Sequence, residues 1–86
     1  MNVNDFETPK QHPFDMLNGY SHASEKESVL AYILTKCIEA GDLSASVTTT
    51  HEHPTMVDDG LLVKTGDHAY KLTKKSIGLL YSHYGK

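Results

Sequence analysis

The chain has 86 residues, a mass of 9.5 kDa and a formal net charge of −3, so it is one domain and not a multidomain enzyme. A domain of this size buries only about 60% of the surface of its unfolded chain, which leaves little volume for an enclosed active site. No run of apolar residues is long enough to span a membrane, and no apolar run after Lys10 resembles a secretion signal. The single cysteine, Cys37, excludes an intramolecular disulfide. These features predict a non-enzymatic cytoplasmic protein that does not enter a membrane.

Charge is divided unevenly along the chain. Residues 1–59 carry three lysines and ten acids, whereas residues 60–86 carry five lysines and one acid. The basic C-terminal third could therefore bind a polyanion, while the rest of the chain would repel the polyanion. The chain has no arginine, the usual reader of guanine edges, which disfavours sequence-specific recognition of DNA. Lysine can still bind phosphate without sequence preference.

Residues 1–23 are predicted to be a flexible N-terminal arm, because they contain two prolines and scattered apolar residues without a period. One helical turn over 14–17, closed by Asn18 and Gly19, is the only local structure that the pattern favours. The arm either packs loosely or docks on a partner or on a second copy of the chain. In the docking interpretation, the partner-binding residues are Phe14, Met16 and Tyr20.

Residues 24–86 are predicted to form the folded domain, and its first element is a helix over 25–40. Ser24 and Glu27 form a capping-box pattern at its start, and Gly41 follows its last periodic residue. Apolar residues recur every three or four positions, while Glu27 falls on the polar face. The predicted core face of this helix contains Leu30, Ile33, Leu34, Cys37 and Ile38.

A strand and a short turn are predicted next. Apolar and polar residues alternate from Leu43, and the threonine run that ends at Thr50 disfavours a helix. Pro54 interrupts the pattern, and residues 55–59 have room for about one helical turn before Gly60.

The last third predicts a β-hairpin and a helix. With Gly66 and Asp67 as the central turn residues, Val63 would pair with Tyr70. This register places Leu61, Val63, Tyr70 and Leu72 on one face and both Lys64 and Lys71 on the other. Thr73 is predicted to cap a final helix, in which Ile77, Leu80, Tyr81 and Tyr84 recur at helical spacing. Dimerisation through Tyr81 and Tyr84 is compatible with this pattern.

The segment that begins Gly60-Leu61-Leu62-Val63 and ends Tyr70-Lys71-Leu72-Thr73, followed by a helix with Leu79-Leu80, resembles the wing of winged-helix proteins. The resemblance covers about 25 residues and implies a small α+β winged-helix-like domain. Two features depart from the family pattern. Ser76 stands where a glycine is common, and only the 18 residues 42–59 separate the first helix from the wing. The recognition helix is therefore expected to be absent or reduced to residues 54–59.

Two functions from different classes follow. The first is a transcription regulator that contacts the DNA backbone through its wing, which is what the resemblance implies. The second is a protein-interaction module on the same scaffold, which would bind its partner through the acidic first helix or through the apolar arm. The first is slightly favoured overall, because the family resemblance and the clustered lysines support it. The missing arginine, the net negative charge and the short recognition segment favour the second. The candidate DNA-binding residues are Lys64, His68, Lys71, Lys74 and Lys75.

Metal binding and catalysis are not supported by any spacing in the chain. His51 and His53 offer zinc-like ligands, together with Cys37, Glu52, Asp58 or His68, but no paired Cys or His signature exists and Cys37 lies on the apolar helix face. No nucleophile elbow, phosphate loop or paired-carboxylate arrangement is present. We therefore expect no metal, no cofactor and no catalytic residues.

Overall fold

The computed structural model describes residues 1–10 and 23–86, with side chains from residue 25 onward in the second range. A short 3-10 helix, Val3–Asp5, is followed by α1 (Ala23–Ala40), β1 (Val47–Thr48), α2 (Pro54–Asp58), β2 (Leu62–Gly66), β3 (Ala69–Leu72) and α3 (Lys74–Tyr84). The strands form an antiparallel sheet in the order β1-β3-β2. The predicted α+β class is thus confirmed.

Helix α1 starts at Ala23, two residues earlier than predicted, so Ser24 lies within the helix rather than at its cap. Its end matches the prediction. Gly41 has a φ of +73°, and the amides of Gly41 and Asp42 donate to the carbonyls of Ile38 and Cys37 at 3.1 and 3.0 Å. This is a Schellman motif, in which a left-handed glycine closes the helix.

The core lies between α1, α3 and the inner face of the sheet. Four predicted core residues of α1 are fully buried, whereas Ile38 is only partly buried; the four are Leu30, Ile33, Leu34 and Cys37. Two charged residues near the start of α1 are also buried, Lys26 and Glu27. The prediction that Glu27 lies on a polar face is therefore wrong.

Strand β1 is much shorter than the predicted strand because residues 42–45 form a turn. The Asp42 carboxylate accepts from the Ser44 amide at 2.8 Å, and the Asp42 carbonyl accepts from the Ala45 amide at 3.2 Å. Leu43 is nevertheless buried, and only Val47 and Thr48 pair with β3.

The predicted hairpin register is wrong by one residue. Val63 pairs with Lys71, and Lys64 pairs with Tyr70, before a bulge at Thr65 leads to the pair of Gly66 and Ala69. The turn residues are consequently Asp67 and His68, instead of Gly66 and Asp67, and His68 has a positive φ of 57°. Val63 is 43% exposed on the outer face of the sheet, and Lys64 lies on the inner face with Tyr70.

Helix α3 is capped as predicted and gives Ser76 a structural role. The Thr73 hydroxyl accepts from the Ser76 amide at 3.2 Å, and the Ser76 hydroxyl accepts from the Thr73 amide at 2.9 Å, which is a complete capping box. Ser76 is fully buried and Leu80 reaches the core, while Tyr81 remains 40% exposed.

The start of the predicted arm packs against the end of α3. Phe6 is buried, contacts the ring of Tyr81 edge-on at 5.7 Å and bridges to Gly85. The Glu7 amide donates to the Tyr84 carbonyl at 2.7 Å. The predicted partner-binding residues Phe14, Met16 and Tyr20 lie outside the described residues.

Candidate interaction surface around Pro54

The segment between β1 and α2 is held to the hairpin by Glu52. Its carboxylate accepts from the Lys64 ammonium at 2.8 Å and from the Tyr70 hydroxyl. The Tyr70 hydroxyl in turn accepts from the His53 amide at 2.8 Å. One buried tyrosine on β3 therefore holds two consecutive residues of the connecting segment in place.

These bonds determine the charge of Glu52. The hydrogen bond from Lys64, followed by the one from Tyr70, lowers the pKa of Glu52 to about 2. The hydrogen bond between Lys64 and Glu52 also raises the pKa of Lys64. Both groups are therefore ionised at neutral pH and form a mutually neutralising pair.

Three histidines surround this pair. His53 packs edge-on against Tyr70 with ring centroids 5.5 Å apart. Burial, and then the nearby charge of His51, lowers the pKa of His53, with a smaller effect of the same sign from His68. His51 and His68 are exposed. The lowered pKa keeps the His53 imidazole neutral at physiological pH.

A second ion pair connects α1 to the end of α2. The buried Lys26 ammonium contacts the Asp59 carboxylate, with side-chain exposures of 7% and 32%. Lys75, at the start of α3, donates to the Asp59 carbonyl at 2.7 Å. These contacts join α1, the residue after α2, and α3.

Two clefts adjoin Pro54, and both have a mainly apolar lining. The first has a volume of about 550 Å³ and lies between the start of α1 and residues 51–56; the second, of about 360 Å³, lies between α2 and the hairpin. Glu52 and Pro54 line both clefts. Val29 and Met56 line the first, and Val57 and Tyr70 line the second. We call the two clefts together the Pro54 surface.

The structure does not bring the five predicted DNA-binding residues into one basic strip. Lys64 is engaged by Glu52 on the inner face of the sheet, and Lys71 lies on the outer face beside Val63. Lys75 reaches over Gly60 to the Asp59 carbonyl. His68 occupies the hairpin turn, and Lys74 is exposed at the first turn of α3.

Cys37 and the histidines form no metal-binding cluster within the described part of the chain. Cys37 is buried, and this burial, with a smaller effect from Asp42, raises the pKa of its thiol. A thiol in that state is a poor nucleophile. Among residues 1–10 and 23–86, no helix is both long and apolar enough to cross a bilayer.

The sequence predicted about one helical turn within residues 55–59, close to α2 as observed, but the Pro54 surface was not predicted as a site of interaction. The available signal was Pro54 followed by Met56 and Val57, since proline favours a first helical turn and the next apolar residues give it a core-facing side. The partnership of Glu52 with Lys64 and Tyr70 had no local signal.

In comparisons with protein-family models, curated proteins and solved structures, nothing matches this chain. The resemblance to winged-helix proteins stays a prediction.

Proposed function

We propose that this protein is a non-enzymatic protein-interaction module on a winged-helix-like scaffold, and that it binds its partner through the Pro54 surface. The observation that carries this proposal is the pair of adjacent, mainly apolar clefts that share Pro54 and Glu52. Concave apolar surfaces with a few fixed polar groups are the usual sites of ligand and peptide binding. The bonds from Tyr70 and Lys64 hold the shared segment in position before any partner arrives, which lowers the entropy lost on binding.

The charges around α2 favour a protein partner over DNA. In the winged-helix interpretation, α2 stands in the place of the recognition helix, but it spans only Pro54–Asp58. Residues 51–59 contain three acids, Glu52, Asp58 and Asp59, and no lysine. A short acidic segment is repelled by the phosphates that border the major groove.

DNA association is the second candidate, and two lysines support it. Among the lysines predicted to bind DNA, Lys71 and Lys74 have ammonium groups with no ion-pair or hydrogen-bond partner among the described residues. They would contact the phosphate backbone without reading bases. A transcription regulator of this kind would use the outer face of the hairpin and the start of α3.

A peptide-display selection against the immobilised protein tests the first candidate. Thr55 lines the larger cleft and is exposed, so Thr55→Tyr fills the cleft without changing charge. Thr48 on β1 is also exposed and lines neither cleft, which makes Thr48→Tyr the matched control. Selected peptides should lose about tenfold or more in affinity for Thr55→Tyr and retain it for Thr48→Tyr. Equal binding to both variants would exclude the Pro54 surface.

A chemical-shift titration with a short mixed-sequence duplex tests the second candidate. Shifts over residues 60–76 that weaken as salt rises, and that disappear in Lys71→Gln/Lys74→Gln, would favour DNA association. No shifts at low salt would eliminate it.

A further inference from the structure

We infer that the partner of the Pro54 surface is a short basic segment that also carries apolar side chains, with Glu25 and Asp58 receiving its positive charges. This inference rests on the proposed function and adds the chemical class of the partner. It is argued from the distribution of engaged and available charges around the two clefts.

The two carboxylates occupy opposite parts of the surface. Glu25 lines the first cleft, from the first turn of α1, and Asp58 lines the second, from the end of α2. Pro54 and Glu52 belong to both clefts and lie between them. A bound segment that places an apolar side chain on each side of Pro54 would therefore meet one carboxylate from each cleft.

The remaining charged residues of the surface are engaged. Glu52 is paired with Lys64, and Lys26 is paired with Asp59. Glu25 and Asp58 are exposed, and neither has an ion-pair partner within the described part of the chain. The charge that the surface presents to a partner is therefore negative, and charge complementarity selects a basic segment.

The apolar residues that line the two clefts indicate that the partner carries apolar side chains. Met56 is buried, while Val29 and Val57 are half-buried and give the clefts apolar walls. Volumes of about 550 and 360 Å³ accommodate individual side chains, not a globular domain. Burial of these side chains supplies affinity, and the two carboxylates supply discrimination between basic and acidic sequences.

The test uses three synthetic peptides of equal length with the full-length, isotope-labelled protein. One alternates leucine and lysine, the second alternates leucine and glutamate, and the third alternates serine and lysine. The protein variants are Glu25→Gln and Asp58→Asn. Glu39→Gln is the control, because Glu39 is an exposed acid about 21 Å along α1 from Glu25.

The leucine-lysine peptide should shift residues 25–29 and 51–58, bind more tightly than both others and weaken as salt rises. Each carboxylate variant should reduce its affinity by about two- to fivefold, as expected for exposed ion pairs, and Glu39→Gln should leave it unchanged.

Three outcomes would overturn the inference. Equal or tighter binding of the leucine-glutamate peptide at the same residues refutes the partner's charge but leaves the interaction surface in place. No shifts in residues 25–29 and 51–58 with any peptide refutes the inference together with the proposed function. Shifts of those residues on dilution of the protein alone would show that a second copy covers the surface.

Discussion

The ion pair between Lys26 and Asp59 allows a sharp test, because the two partners differ in burial. The Lys26 side chain is 7% exposed and the Asp59 side chain is 32% exposed. Removing one partner of a buried pair costs about 3–5 kcal/mol when the remaining charge has no access to water. The cost should therefore depend on which partner is removed.

Asp59→Asn removes the carboxylate that contacts the buried ammonium of Lys26. Since water still reaches the Asp59 site, we expect a loss of about 2–3 kcal/mol, below the fully buried limit. Lys26→Met retains the aliphatic stem and leaves a carboxylate that water can solvate, so we expect a loss of about 1 kcal/mol or less. In a domain of this size, the loss for Asp59→Asn lowers Tm by about 8–24 °C, and the loss for Lys26→Met lowers Tm by about 8 °C or less.

Urea unfolding followed by circular dichroism measures both variants. Glu39→Gln is the control, because Glu39 pairs with Lys36 at 3.4 Å in an exposed contact that should contribute almost nothing. The double variant Lys26→Met/Asp59→Asn should be more stable than Asp59→Asn alone. A larger loss for Lys26→Met than for Asp59→Asn would refute the argument from burial.

Three further predictions concern single residues. Thr73→Ala removes the hydroxyl that accepts from the Ser76 amide and donates to the Gly60 carbonyl at 2.6 Å, so unfolding in urea should show a loss of about 1–2 kcal/mol. Gly41→Ala should cost about 1 kcal/mol, because φ is +73° there and no neighbour within 4 Å adds a clash. The folded-state pKa of Glu52, about 2, lies below its ordinary value of 4.5, so the contribution of Glu52 to stability is present above pH 4.5 and lost as pH falls toward 2. Glu52→Gln should therefore flatten the curve of unfolding free energy against pH between pH 2 and 4.5. An unchanged slope would contradict the lowered pKa of Glu52.

Local patterns predicted the helices well because their signals are contained within a few residues. The apolar period of α1, the left-handed Gly41 after it and the Thr73 cap of α3 each depend on neighbours in sequence. The burial of Lys26 and Glu27 could not be predicted in the same way. Lys26 is covered because Asp59, which lies 33 positions further along the chain, supplies its counter-charge.

The hairpin error has a definite physical origin. Leu61 and Leu62 are both apolar, so alternation alone permits either residue to face the core, and the two choices differ by one position of register. The structure buries both, with Leu61 before the strand and Leu62 within it. Strand β2 has a bulge at Thr65, and the Thr65 hydroxyl hydrogen-bonds to the Ser46 hydroxyl. The sequence of the hairpin alone cannot predict this contact, because Ser46 lies outside the hairpin.

That one-residue shift also supports the proposed protein-interaction module over DNA association. In the predicted register, Lys64 and Lys71 share a face and extend a basic strip toward α3, as phosphate contact requires. In the observed register, Lys64 turns to the inner face, where it neutralises Glu52 and fixes the segment that carries Pro54. The same lysine that would have served a DNA-binding wing instead organises the Pro54 surface. Lys64→Gln should therefore impair peptide binding at the Pro54 surface more than it impairs any contact with DNA.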